Sequence, residues 1–386
     1  MREPCLIEHL SGGNHELFHS NVLAYIAQKY PKYFRDLFSH FGINDFEDDF
    51  SKNILREEKH IDFAIKKTKG YTGNEYTLVL ENKMKSIPDM EQLSRLSEKV
   101  TADHKILLTM IGVKPEHIEK GWTQVTYAEL ADVMERERDV YKFEPFFEKF
   151  LEEYISYVRN LSSKVEEIKK EFEEGKDKLK IQEFLSENEE NPEIRKWEKL
   201  FLKKVRFQLV ADEIKSRYSN KTLFCKAAIV RSNVPFIELL PYTKDEIKSE
   251  KNKFWIQIYD NHIERGFWLY YNEIEDKEFT KTRPRSRAQK PRIAFFNSLW
   301  DISMGINEFK EIATMLTKEP FNLKEFSHEN KNEQMKDFHG YIYKDATLFY
   351  IRTEFNDNTI SEFIDKTILE LNKVSEILET AKTPNN

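Results

Sequence analysis

Residues 76–83 read Tyr-Thr-Leu-Val-Leu-Glu-Asn-Lys, so that mostly apolar, partly β-branched residues lead into a carboxylate, one spacer and a lysine. A similar run over residues 60–65 carries a single carboxylate, Asp62. Between the two runs, residues 69–74 have the composition of a turn. The sequence therefore predicts a β-hairpin, with strands over residues 56–67 and 75–83.

The register of this hairpin follows from the position of its turn. If Asp62 lies opposite Glu81, the midpoint falls between Tyr71 and Thr72, inside the predicted turn. Because strand side chains alternate between faces, Glu81 and Lys83 should point the same way. The apolar residues that alternate with Asp62 should face a core: Ile61, Phe63 and Ile65. We thus expect two carboxylates and an ammonium to meet at one end of a sheet.

Such a cluster predicts a metal site. Two facing carboxylates repel each other unless a cation lies between them. Mg²⁺ (or Mn²⁺) prefers oxygen ligands and commonly uses one or two carboxylates together with water and substrate phosphate. A neighbouring lysine could orient or deprotonate a metal-bound water, or stabilise charge on a phosphate. This chemistry is typical of phosphodiester hydrolysis; the rival interpretation is a surface ladder of salt bridges.

At these residues the chain resembles the PD-(D/E)xK, or restriction-endonuclease-like, nuclease superfamily. Its pattern is an acidic residue on one strand and Glu-x-Lys on the next, here Asp62 and residues 81–83. The resemblance covers roughly residues 1–150 and is closest to a bacterial branch with a Glu-Asn-Lys site. It implies that Asp62, Glu81 and the main-chain carbonyl of Asn82 hold Mg²⁺ and that Lys83 activates water. One departure is that Ile61, not proline, precedes Asp62.

The same resemblance implies two more site residues. Members often carry a glutamate on the first helix, here Glu16, as a third metal ligand. They also carry a glutamine on the helix after Glu-x-Lys, here Gln92, which could reach the site or a phosphate. Each could equally be an exposed helix residue. The family further implies DNA as the substrate and a role in defence against foreign DNA, whereas the residues alone do not separate DNA from RNA.

A rival motif overlaps the first predicted helix. Residues 15–19 read His-Glu-Leu-Phe-His, which matches the H-E-x-x-H signature of zinc proteases. A catalytic zinc needs a third protein ligand, and no downstream residue stands out as that ligand. The alternative is that His15 and His19 lie on the helix surface or pack against neighbours.

The order of predicted elements gives the fold class. A helix, the hairpin, a helix over residues 89–101, strands over 105–111 and 122–126, and a further helix predict an α/β domain with a mixed, restriction-endonuclease-like sheet over residues 1–150. Residues 105–111 are almost continuously apolar, as in a strand buried on both faces.

The remaining chain divides in two. Residues 151–190 predict a charged connecting helix, part of a helical stretch over 143–180, whose apolar stripe could also form the coiled coil of a homodimer. Residues 191–386 predict an α+β domain with an antiparallel sheet that binds nucleic acid or a partner.

One segment of this C-terminal domain is strongly basic. Residues 281–292 contain no acidic residue, and aromatic residues lie nearby in the sequence. Such a segment could neutralise phosphates while the aromatic rings stack on bases, which predicts contact with DNA. Alternatively, it is a basic loop that serves solubility. Its six basic residues are Lys281, Arg283, Arg285, Arg287, Lys290 and Arg292.

Composition limits the function further. The net charge of −7 and pI near 5.9 do not indicate a nucleic-acid-binding protein as a whole, so a binding face must be local. Two distant cysteines and the lack of an apolar leader or membrane span predict a cytoplasmic protein, and no nucleotide-cofactor motif is evident. The sequence favours a Mg²⁺-dependent deoxyribonuclease over a non-catalytic nucleic-acid-binding module with the same fold.

Overall fold

The computed structural model describes residues 15–57, 61–67, 75–84, 88, 90–113, 118–186, 196–218, 224–229, 234–243, 246, 253–270, 311–312, 314–315, 338–342 and 346–382. The chain divides into two compact units. Unit 1 comprises residues 1–170 and 193–205, and unit 2 comprises residues 171–192 and 206–386.

Unit 1 contains a mixed five-stranded sheet in the order β1-β2-β3-β4-β5. The first three strands are antiparallel neighbours, whereas β3, β4 and β5 run parallel. The predicted α/β class with a mixed sheet is thus confirmed. The strands are β1 (Ile54–Leu55), β2 (Phe63–Lys66), β3 (Glu75–Lys83), β4 (Thr101–Thr109) and β5 (Thr123–Thr126).

The first strand of the hairpin is shorter than predicted. Instead of one strand over residues 56–67, β1 ends at Leu55 and β2 begins at Phe63. The two strands are antiparallel neighbours, so the chain must reverse direction between them. Glu57, in that reversal, has a φ of +55°, a left-handed conformation that no regular strand contains.

The register of the hairpin is as predicted. Phe63 lies opposite Leu80 and Ala64 lies opposite Val79. This is the register that was predicted to bring Asp62 opposite Glu81, although the last pair is Phe63 with Leu80 and Asp62 itself lies at a bend just before β2. The register shifts between Ile65 and Lys66, so the irregularity lies on the side of the turn and away from Asp62.

Helices cover both faces of the sheet. On one face, Leu93 and Leu96 of the helix after β3 pack in a buried cluster with Val79 and Leu107. On the other face, the ring of Phe63 lies 5.8 Å from that of Phe34. As a result, β3 is buried from Tyr76 through Lys83. The helices of unit 1 are α1 (His15–Lys29), α2 (Pro31–Ser39), α3 (Met90–Lys99), α4 (Tyr127–Arg138) and α5 (Pro145–Gly175).

Local sequence explains where these helices begin. Pro31 occupies the first turn of α2, where its missing N–H costs nothing. Thr126 caps α4 in a capping box: its hydroxyl accepts from the N–H of Glu129, and the Glu129 carboxylate accepts from the N–H of Thr126 at 2.7 Å. Therefore α4 starts at a fixed point directly after β5.

The long helix α5 lies within the helical stretch predicted over residues 143–180, and the boundary between the two units falls inside it. Unit 1 includes α5 as far as Lys170, where the sequence suggested boundaries at residues 150 and 190. Its apolar stripe is buried within the single chain, so the stripe is not available for the coiled-coil dimer. The buried members of the stripe are Ile155, Val158, Leu161, Val165 and Ile168.

Unit 2 contains the predicted antiparallel sheet, with strand order β10-β11-β9-β8-β7-β6. Residues 338–342, the strand β10, were not predicted because they include a glycine and lack a long apolar run. The elements are α6 (Ile181–Leu185), α7 (Lys196–Arg217), which begins in unit 1, β6 (Phe224–Ile229), β7 (Pro235–Leu240), β8 (Lys253–Ile258), β9 (His262–Tyr270), β10 (Phe338–Ile342), β11 (Ala346–Glu354) and α8 (Ile360–Lys382).

Among the described helices of both units, none combines the length and the apolar character that a membrane crossing requires.

Candidate functional site

The end of β3 holds a buried ion pair. Glu81 is fully buried, and the Lys83 ammonium donates a hydrogen bond of 2.6 Å to its Oε1 atom. Lys83 is itself only 7% exposed. The two side chains therefore share one face of the central strand, as their spacing predicted.

Gln92 joins the same carboxylate. Its Nε2 amide donates a short hydrogen bond to Glu81 Oε1. Gln92 lies in the first turn of α3, which begins at Met90, and α3 covers the face of the sheet that carries Glu81. Two donors from different elements thus fix the orientation of one carboxylate.

Asp62 reaches the site from the neighbouring chain segment. Its Oδ2 atom accepts the main-chain N–H of Asn82 at 2.7 Å. The carboxylate takes the place of a strand carbonyl just before β2 begins, and it lies against the peptide that joins Glu81 to Asn82. The structure therefore brings together Asp62, Glu81, Asn82, Lys83 and Gln92, all of which were predicted site residues.

The side chain of Asn82 points to the opposite face of β3 from Glu81 and Lys83. There the Tyr127 hydroxyl donates to Asn82 Oδ1 at 2.7 Å, and Asn82 Nδ2 donates to Ser20 Oγ at 3.1 Å. All three residues are buried. The Asn82 amide is consequently held by α1 and α4 together.

His19 packs among aromatic rings. It is fully buried, its Nδ1 atom is hydrogen-bonded to the Tyr154 hydroxyl at 2.9 Å, and its ring stacks on Tyr157 with centroids 6.2 Å apart. Burial raises the pKa of Tyr154, so that hydroxyl stays protonated. The packing interpretation of His19 is thus confirmed, and its surroundings argue against the zinc-protease interpretation.

Two groups of predicted site residues are not placed. Glu16 belongs to α1, but its side chain lies outside the described residues, as does that of His15. The basic segment 281–292 also lies outside them, so its predicted contact with DNA stays a prediction.

The donor set can be compared with the needs of a metal. Asp62 and Glu81 offer carboxylate oxygens, which suit Mg²⁺, and Mg²⁺ needs only one or two carboxylates when water and phosphate complete its shell. Within the described ranges, no group of three or more His, Cys, Asp or Glu side chains could hold a metal ion. The two carboxylates are of the donor type that Mg²⁺ prefers, and with the described residues around them they do not make a closed structural zinc site.

Sequence reasoning missed Tyr127 and Ser20 as parts of this site. Ser20 and Tyr127 lie 62 and 45 positions from Asn82 along the chain. No local spacing connects residues that far apart, so only the fold reveals the contact. For Tyr127, the usable signal is that it opens a capped helix directly after a strand of the same sheet. For Ser20, it is the His-Ser pair at residues 19–20, which the nuclease branch that the chain resembles also carries on its first helix.

Comparisons with protein-family models, with curated proteins and with solved structures found no match.

Proposed function

We propose that unit 1 is a Mg²⁺-dependent nuclease that hydrolyses phosphodiester bonds of DNA. One observation carries the proposal: Lys83 and Gln92 converge on the buried carboxylate of Glu81 while Asp62 is held beside the same peptide. These are the groups that the proposed chemistry requires, and they come from β3, α3 and the segment before β2.

The energetic cost of the ion pair supports a chemical role. Burying a carboxylate and an ammonium costs desolvation energy, and well-packed apolar residues of similar volume often stabilise a core equally well. Glu81 and Lys83 occupy the most buried strand of unit 1, where apolar residues fill most other positions. Stability alone does not account for a charged pair at that place.

Each residue has a definite part in the proposed reaction. Asp62 and Glu81, with the main-chain carbonyl of Asn82, would hold Mg²⁺, which supplies Lewis acidity toward the phosphate. Lys83 would position the attacking water or balance negative charge on the phosphate. Gln92 would keep the Glu81 carboxylate in one orientation.

DNA as the substrate and defence against foreign DNA rest on the resemblance to PD-(D/E)xK nucleases. The negative net charge of the chain, −7, means that any nucleic-acid contact uses a local surface. The basic segment 281–292 is our candidate for such a surface in the C-terminal half.

The decisive experiment is cleavage of supercoiled plasmid, linear DNA and RNA in Mg²⁺, in Mn²⁺ and in EDTA. We expect metal-dependent cutting of DNA by the wild-type protein that is lost in Asp62→Asn and in Lys83→Ala. A matched control is Lys203→Ala, since Lys203 is also buried, in the part of α7 that belongs to unit 1.

The results separate the interpretations. Cutting that survives both site substitutions would remove these residues from the active site. DNA binding without cutting in any metal would instead favour the non-catalytic binding module.

A further inference from the structure

Asn82 connects the two faces of the central strand. Its main-chain N–H donates to the carboxylate of Asp62, beside the proposed active site. Its side-chain amide lies on the other side, where Tyr127 donates to one end and Ser20 accepts from the other. A motion of this side chain would therefore move the peptide against which Asp62 is held.

The Tyr127 hydroxyl is held at a fixed place. Tyr127 is the first residue of α4, whose start is set by the capping box of Thr126. Thr126 pairs with Thr109 on β4, and Thr109 pairs with Lys83 on β3. The start of α4 is thus fixed to the level of Lys83 through the sheet itself, and from there the Tyr127 hydroxyl donates to Asn82.

The ring of Tyr127 is supported by the side chains that pack against it. The ring of His19 stands edge-on to the ring of Tyr127, with centroids 5.5 Å apart. His19 is bonded in turn to Tyr154 of α5. Since His19 precedes Ser20 on α1, both groups that hold Asn82 are supported by the same turn of that helix.

We propose that Tyr127 and Ser20 are positioning residues of the active site, which act by locking the Asn82 amide and, through it, Asp62 and the Asn82 carbonyl. Each of the two hydrogen bonds ties this buried amide to a different helix, and the loss of either one exposes the cost of a buried polar group that is no longer fully satisfied. The inference rests on the proposed function where it concerns metal binding. The hydrogen bond from the Asn82 N–H to Asp62 is present without metal, so its positioning by Tyr127 and Ser20 can be tested in the metal-free protein.

The competing explanation is that these hydrogen bonds only stabilise the fold. Tyr33 provides a matched control, since it is also fully buried in unit 1 and its hydroxyl donates to the Met134 carbonyl at 3.0 Å. Tyr127→Phe and Tyr33→Phe each remove a buried tyrosine hydroxyl and keep the ring. Only Tyr127→Phe releases the Asn82 amide.

The test measures Mn²⁺ binding by calorimetry without DNA, and hydrogen exchange of the Asn82 amide without metal, in the full-length protein. For Tyr127→Phe we expect Mn²⁺ binding weakened by about tenfold, the usual size of an outer-shell effect, and exchange of the Asn82 amide faster by a similar factor. Tyr33→Phe should match the wild type in Mn²⁺ binding and in Asn82 exchange. Its urea midpoint should nevertheless fall about as far as that of Tyr127→Phe. With a DNA substrate, Tyr127→Phe should lower kcat and leave KM unchanged.

The inference is overturned if the two variants behave alike in metal binding and in Asn82 exchange, whether both change or neither does. A wild-type protein that binds no Mn²⁺ would instead contradict the proposed metal centre. The exchange of the Asn82 amide would still decide whether Tyr127 positions this segment, so the two failures can be told apart.

Discussion

Among the described residues, each unit has one buried glutamate on an inner strand of its sheet, and the two glutamates have different partners. In unit 1, Glu81 is paired with Lys83, two positions along the same strand and also buried. In unit 2, Glu264 on β9 is paired with Arg352, directly opposite on β11. Both Nε and Nη2 of Arg352 donate to Glu264 Oε1, at 3.2 and 2.7 Å.

The difference shows what each pair can do. The Arg352 side chain is 42% exposed, so it reaches water while it closes a cross-strand pair of the kind that stabilises sheets. The bond between Lys83 and Glu81 joins two residues of the same strand, so it does not link neighbouring strands. Lys83 lies at the end of β3, where Asp62 and Gln92 also meet. We therefore propose a structural role for the pair in unit 2, beside the chemical role proposed for the pair in unit 1.

The largest expected effect follows from Lys83→Met. Removing one partner of a buried ion pair leaves the other charge buried, which typically costs about 3–5 kcal/mol. We also expect DNA cleavage to fall by about 10²–10⁴-fold, the usual contribution of one positioned acid–base group. Urea unfolding, read by hydrogen exchange in peptides of unit 1, and plasmid cleavage measure the two effects. The control variant, Lys203→Met, should cleave DNA at the wild-type rate per folded molecule. If Lys83→Met also cleaves DNA at the wild-type rate, the chemical role of Lys83 is contradicted.

The second prediction separates stability from chemistry in the same pair. In the double variant Glu81→Gln, Lys83→Met, no charge of the pair remains buried, so most of the roughly 3–5 kcal/mol should return. Cleavage should stay lost, because the carboxylate and the ammonium are both absent. A double variant that remains as unstable as Lys83→Met would show that the pair also has a structural role, which would weaken the contrast with unit 2.

The site in unit 1 was largely predictable because its determinants are local. The strand Glu75–Lys83 and the register of β2 against β3 follow from apolar runs and turn composition within about twenty residues. The break before β2 was not predictable, because it depends on the reversal at Glu57. The contacts of Asn82 with Ser20 and Tyr127 could not be predicted either, since packing across the sheet, and not spacing along the chain, brings them together.

The third prediction tests the structural role in unit 2. Glu264→Gln keeps the shape but removes the charge that accepts from Arg352 and from His262 Nε2, which lies 3.1 Å away. Because Arg352 can turn to water, we expect a loss of about 1–2 kcal/mol rather than the full cost of a buried charge. Cleavage should change less than twofold. A loss of cleavage as large as that of Lys83→Met would contradict the division of roles.

The smallest expected effect is the pH dependence of the difference in unfolding free energy between the wild type and Glu264→Gln. Burial raises the pKa of Glu264, but hydrogen bonds from His262 and Arg352 outweigh it, so the pKa lies below its ordinary value of 4.5. The unfolded chain, with the ordinary pKa, therefore takes up a proton first as the pH falls, and protonation favours unfolding. The stability that the Glu264 charge contributes is complete above 4.5 and is lost as the pH falls through the folded pKa.

This sign can be checked by urea unfolding of the wild type and of Glu264→Gln between about pH 6 and pH 3. Their difference should shrink only below the ordinary pKa of 4.5. In Arg352→Met, one of the groups that lower the folded pKa of Glu264 is removed, so the total loss should be smaller and should be complete at a higher pH than in the wild type. A difference that stays constant down to the acid end would show that the charge of Glu264 does not stabilise the sheet, and that only its shape does.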